Sequence, residues 1–259
     1  EVREPEGAWT VQVLATDDPA ELVPADLAIV AVKSYSLAEV APVALLLAEA
    51  GAIVLPLLNG VEAFESLAAA GVDPKRMLGG LTMIGAEKTA PGVVTRNSDF
   101  RSVVVGERSG GLSERSERVA AIFQEAGAQA RASENIELDL WLKLLFIASV
   151  AAGCGLARAP IGAVRDAPLG TALFERAVRE IGAVARAKGI PVTEQAEKDV
   201  LARIASLAGG LKPSFLRDLE RGGPNELDVL SGAVSRFGKA AGVSTPVHDT
   251  AVAALSAGR

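Results

Sequence analysis

One cysteine, Cys154, and one histidine, His248, are all that this 259-residue sequence has of either residue. A single cysteine excludes an internal disulfide and fits a reducing compartment. Cys154 follows Gly153 with no histidine or acid beside it, and it reads as a small buried residue rather than a nucleophile. There is no excess of positive charge: 26 Lys and Arg against 32 Asp and Glu leave a formal net charge of −6. That balance gives no electrostatic case for nucleic acid or an anionic membrane surface. No apolar run reaches the length of a membrane span without a charge or a helix breaker, and no signal peptide is visible, so a soluble cytoplasmic protein is expected. No metal site is expected either. Nor does any G-x-G-x-x-G follow a strand: Gly79-Gly80, Gly110-Gly111 and Gly222-Gly223 lack both the spacing and the preceding strand. The sequence opens on Glu1 rather than Met.

Within these limits the chain changes character near residue 133. Before it, strands alternate with helices. The pattern predicts strands over Trp9–Leu14, Leu27–Val32 and Ala52–Leu58, helices over 37–50 and 61–70, and a β-rich section with the turn Ala90-Pro-Gly92 and the strand Val103–Val105. Continuous apolar strands separated by helices imply a sheet that is at least partly parallel and covered on both faces. Ligands of such sheets bind beyond the carboxyl ends of the strands, where Lys33 and Asn59 stand at the ends of two predicted strands. Taken singly, Asn59 before Gly60 is also a turn pair, and Lys33 is also a solvated strand-end charge.

From residue 134 onward the pattern is helical, with segments at 134–152, 168–188, 193–207, 214–221, 225–241 and 247–257. The first of these is nearly all apolar from Leu140 to Ala152, with Lys143 its one charge there. Ser133 or Asn135 can cap it, Glu134 and Glu137 suit its dipole, and Gly153 can end it. A lone ammonium on such a helix snorkels to solvent, pairs with an acid, or faces a cleft. His248 opens the last helix and reads as structural or exposed rather than catalytic.

Four segments together resemble the ketopantoate reductase family: Asp26–Lys33; Leu57-Leu-Asn-Gly60; Leu140-Trp-Leu-Lys-Leu144; and Pro213–Asp218 followed by Asn225-Glu-Leu-Asp228. The likeness runs from about residue 10 to the end of the chain. It implies an α/β Rossmann-type NADP-binding domain over residues 1–133 and an all-α domain over 134–259, like that of 6-phosphogluconate dehydrogenase. The implied reaction is NADPH-dependent reduction of 2-dehydropantoate to pantoate, a step toward pantothenate and coenzyme A. The resemblance assigns Lys143 and Glu226 catalytic roles, Asn59, Ser214 and Lys143 the substrate, and Lys33, Asn59 and Glu226 the cofactor. An ammonium in an apolar cleft suits a reduction, because hydride addition to a ketone builds charge on oxygen that a nearby proton donor must quench.

The sequence departs from the family in two places. Relative to it, the first strand, its glycine-rich turn and the next helix, roughly forty residues, are absent from the sequence, and truncation or a segment left out of the sequence is expected rather than a natural half-domain. Ile147 and Ala151, on the Lys143 face at i+4 and i+8, stand where asparagines are usual in the family. The expected substrate is therefore a small 2-oxo acid, ketopantoate itself or a less hydroxylated one. The remaining alternative is a non-catalytic nucleotide-binding remnant. The apolar C-terminal helices suggest a homodimer.

Overall fold

The computed structural model describes residues 1–257, and the side chains of all of these except 97–100. The chain forms two compact units. The first comprises Glu1–Val32, Ala38–Leu58 and Phe64–Ile136; the second comprises Lys33–Leu37, Asn59–Ala63 and Glu137–Arg259.

The first unit is built on strands. In order they and their helices are β1 (Val2–Glu4), β2 (Gly7–Trp9), β3 (Leu27–Val30), α1 (Leu37–Glu49), β4 (Ile53–Pro56), α2 (Ala63–Ala69), β5 (Gly79–Ala90), β6 (Val93–Gly106), α3 (Glu114–Glu125) and β7 (Gln129–Ser133). β3 and β4 pair in parallel, Leu27 opposite Ile53 through to Val30 opposite Pro56. β5 and β6 form a long antiparallel hairpin. One end of β6 pairs in parallel with β1, and the other pairs in parallel with β7. A parallel bridge between Val54 and Met77, with Leu78 N donating to Val54 O at 3.0 Å, links the two sheets. Leu55, Leu78, Val103, Val105, Val119 and Ala120 are buried together as the core. Burying branched side chains of this kind stabilises by roughly 1.5–3 kcal/mol each.

Two readings of this half change. Of the expected strand Trp9–Leu14 only Trp9 lies in a strand, and Val11, Val13 and Leu14 are 55%, 73% and 71% exposed. Alternating apolar residues make a strand only where a ladder partner exists, and among the described residues none pairs with 10–14. β3 does not have both faces covered either, since Ile29 is 46% exposed.

The second unit is helical: α4 (Ile136–Ala157), α5 (Ile161–Arg165), α6 (Gly170–Ala187), α7 (Glu194–Ser206), α8 (Ser214–Glu220), α9 (Ala233–Ala241) and α10 (Pro246–Ser256), with a π-helical turn over Asp228–Gly232 leading into α9. The expected helix over 225–241 is therefore a π turn followed by a shorter α-helix. α4 also runs past its expected end. Gly153 is an interior residue, because a Cβ there would lie 2.5 Å from Cε1 of Phe174, and one on Gly155 would lie 2.8 Å from Cε1 of Phe215. These glycines admit two aromatic rings against the helix rather than ending it. By length and composition α4 could cross a membrane, yet 67% of its most apolar stretch is buried in the protein, as in a core helix.

His248 is fully buried. Its Nε2 lies 3.2 Å from the Ala177 carbonyl, which can only accept, so the ring proton is assigned to Nε2. Nδ1 then accepts from the Ser231 hydroxyl at 3.1 Å. Burial pushes the imidazole down to about 4, against smaller raising effects from the Ala177 carbonyl and Asp249. The buried Glu180 carboxylate accepts the backbone N–H groups of Val247 (2.9 Å) and His248 (3.2 Å), satisfying donors that the start of α10 leaves open. His248 is thus a structural residue of this unit.

Candidate active site

Glu226 is the centre of the polar cluster in the second unit. It is 3% exposed, just ahead of the π turn, and a carboxylate so placed requires donors. Three converge on it. Asn59 Nδ2 donates to Oε2 at 2.9 Å, Lys33 Nζ stands 3.6 Å from the same oxygen, and the Ser34 amide reaches Oε1 at 3.5 Å. Lys33 also donates to Asp218 Oδ2 at 2.6 Å, so its ammonium is shared by two carboxylates. Burial works against charge on Lys33, but the Asp218 hydrogen bond and the charges of Glu226 and Asp218 outweigh it and raise its pKa.

Lys143 projects from α4 and is half-buried. Among the described residues it makes no side-chain hydrogen bond or ion pair. Burial lowers its pKa to about 8, and the negative charge of Glu226 offsets only part of the shift. Of the three fates open to a lone lysine here, neither snorkelling nor close pairing describes it: the ammonium is partly desolvated and senses Glu226 without touching it. Ile147, one turn on, is half-buried, and Ala151 is 2% exposed.

Ser214 is the first residue of α8, directly after Pro213, exposed and without a hydrogen-bond partner among the described residues. Asp218, the partner of Lys33, follows it at i+4 on the same helix, which puts their Cβ atoms roughly 5–6 Å apart on one face. The fold therefore gathers Lys33, Asn59 and Glu226 by direct contact, Lys143 by its electrostatic coupling, and Ser214 by its place one turn from Asp218. Asp218 was missed as a site residue. Its partner Lys33 is 185 residues away, so no local pattern marks it.

Lys33 and Asn59 follow β3 and β4 in the chain, and these two strands pair in parallel. The cluster offers a ligand one ammonium and one carboxamide as donors and one carboxylate as an acceptor. The description "Ketopantoate reductase PanE/ApbA" matches residues 1–110, and "Ketopantoate reductase PanE/ApbA C terminal" matches residues 135–259.

The chain belongs to the ketopantoate reductase family.

Among its relatives in that family is the 2-dehydropantoate 2-reductase of Halobacterium salinarum. The two are 33% identical over 253 residues, covering 96% of this chain and 81% of that protein. Among solved structures, a PanE/ApbA family ketopantoate reductase from Ralstonia eutropha superposes with a TM-score of 0.88 at 26% identity, covering 99% of this chain and 83% of that one. A D-mandelate dehydrogenase, solved with NADH and anilino(oxo)acetate, superposes with a TM-score of 0.82 at 25% identity, covering 91% and 77%. The ketopantoate reductase family is one of oxidoreductases, and its Rossmann-like sheet followed by a helical C-terminal part is the architecture described above.

Proposed function

We propose that this protein reduces a 2-oxo acid with NADPH, with 2-dehydropantoate as the substrate and pantoate as the product. Residues 1–133 serve as the NADP-binding part and 134–259 as the substrate and catalytic part. The observation that carries the reading is Lys143: a partly desolvated ammonium with its pKa lowered to about 8, electrostatically linked to a buried carboxylate that also holds Asn59 and Lys33.

The bound dinucleotide supplies the hydride. Lys143 Nζ stabilises the charge building on the ketone oxygen and delivers a proton to it. Glu226 keeps that ammonium protonated near neutral pH and, through Asn59, fixes the carboxamide that orients nicotinamide or substrate. Lys33 lies at the cofactor edge, and the exposed Ser214 hydroxyl is available to the substrate carboxylate. The protein works in the cytoplasm as a homodimer, which sedimentation velocity tests.

A second reading keeps the reaction and changes the acid. Ile147 and Ala151 make the lysine face apolar, which withholds side-chain hydrogen bonds from a hydroxylated substrate, and a missing partner of that kind costs orders of magnitude in discrimination. The D-mandelate dehydrogenase that binds anilino(oxo)acetate lends this reading support.

Both are tested by NADPH oxidation with 2-dehydropantoate beside a series of 2-oxo acids lacking its hydroxyl, for the wild type and Lys143→Ala. A fall in kcat of roughly 10²- to 10⁴-fold in the variant is expected for loss of a general acid. Preference for the unhydroxylated acids moves the assignment to the second reading. Absence of turnover with every 2-oxo acid removes both.

A further inference from the structure

The contact between Asn59 and Glu226 joins two segments far apart in the chain, and a second link lies beside it. Arg236, on α9, donates from Nη2 to Glu62 Oε2 at 2.7 Å and from Nη1 to Asp228 Oδ1 at 2.6 Å. Glu62 is three residues after Asn59, and Asp228 is two residues after Glu226. One guanidinium therefore ties the Asn59–Ala63 loop to the segment carrying the buried carboxylate.

Three features show that the local backbone is built for this link. The π turn over Asp228–Gly232 sets the phase of Asp228 and Arg236, eight residues apart. In a regular α-helix such residues point about 80° apart, whereas one inserted residue brings them to about 20°. Gly232, between them, leaves the space they occupy: a Cβ there would lie 3.2 Å from both Arg236 Nη1 and Asp228 Oδ1. Gly60 lets the loop settle on the π turn, with a φ of +91° and a hypothetical Cβ 3.0 Å from Val229 Cβ. A side chain at 60 would be strained in φ and pressed against Val229.

We propose that Arg236 is a positioning residue: it clamps the Asn59–Ala63 loop onto the π turn so that the Asn59 carboxamide meets Glu226 in the geometry that ligand binding uses. Its side chain is 46% exposed and that of Asp228 75%, so the pairs add little to global stability, and their effect is on alignment. The consequence for turnover rests on the reductase reading above; the clamp itself does not.

The test has two readouts on the whole protein. Hydrogen exchange at residues 60–63 reports the clamp directly. Steady-state NADPH oxidation reports its use, for Arg236→Gln, Glu62→Gln and Arg236→Lys. Arg236→Gln and Glu62→Gln are expected to speed exchange in the loop and to raise KM for the 2-oxo acid by roughly five- to tenfold, with kcat within about twofold. Arg236→Lys is expected to recover part of both. In an Asn59→Ala background, Arg236→Gln is expected to add no further KM change, because the carboxamide it positions is gone. Unaltered loop exchange overturns the clamp, and faster exchange with unaltered KM overturns its positioning role. If the wild type turns over no 2-oxo acid, the reductase reading fails and loop exchange alone decides the clamp.

Discussion

At Lys143 two effects oppose each other, and their relative size fixes a pH profile. Desolvation disfavours the ammonium, Glu226 favours it, and desolvation wins, leaving a pKa of about 8. A proton donor must start protonated, so kcat/KM for 2-oxo acid reduction should be level below about pH 7 and fall tenfold per pH unit above 8. The reverse oxidation needs the neutral amine and should rise toward pH 8. An ordinary solvated lysine would place that limb near 10.4 instead. Lys143→Arg keeps the charge but removes the titration, so its residual activity should lose the limb. A limb that persists in Lys143→Arg would assign the titration to another group. The residues in this cluster were legible singly for different reasons: Lys33 and Asn59 from their strand-end positions, Lys143 from being the lone charge on an apolar stretch. Asp218 was not, because a surface-patterned acid on a seven-residue helix looks like any solvated charge until its Lys33 partner, far away in sequence, is in place.

α4 is where local propensity and packing disagree. Gly153→Ala would gain up to about 1 kcal/mol from helix propensity alone. Its new Cβ, however, would lie 2.5 Å from a ring carbon of Phe174, which is 1% exposed. Overpacking of this kind costs about 1–3 kcal/mol, so the net change should be destabilising by about 1 kcal/mol or more. Urea unfolding of Gly153→Ala against wild type checks the sign; a stabilised variant would mean that Phe174 yields. The same conflict explains why the sequence suggested an end at Gly153: glycine marks helix ends by its backbone freedom, but here what matters is its missing side chain. Most long helices were legible from their apolar periods, and α4 and the β3–β4 pair from continuous apolar runs. α3 was not, since only Ser116, Val119 and Ala120 of its twelve residues are buried. β7, Gln-Ala-Arg-Ala-Ser, has no β-branched run and is a strand only because β6 offers an edge. The expected strand at 9–14 failed for the converse reason, having the pattern without a partner.

For the whole molecule, the second unit's response to acid follows from His248. Its folded pKa of about 4 lies below the unfolded value near 6.5. Above pH 6.5 both states hold the imidazole neutral and the group is silent. As pH falls from 6.5 toward 4 the unfolded chain takes up a proton that the folded chain refuses, and stability drops by at most about 3 kcal/mol before levelling off. Glu180, held above the usual carboxylate range chiefly by burial, acts in the opposite sense: its protonation relieves a buried charge as pH falls. Two compact units need not unfold as one transition, so the measurement must report on one of them. Trp141, 1% exposed, lies in the second unit, while Trp9, 50% exposed, lies in the first. In a Trp9→Phe background, the urea midpoint followed by Trp141 emission should fall between pH 6.5 and 4.5. His248→Gln, which keeps an amide donor and acceptor but cannot titrate, should start less stable and show a flatter pH dependence. An equal slope in both proteins would assign the acid sensitivity to carboxylates and leave His248 without a titrating role in this unit.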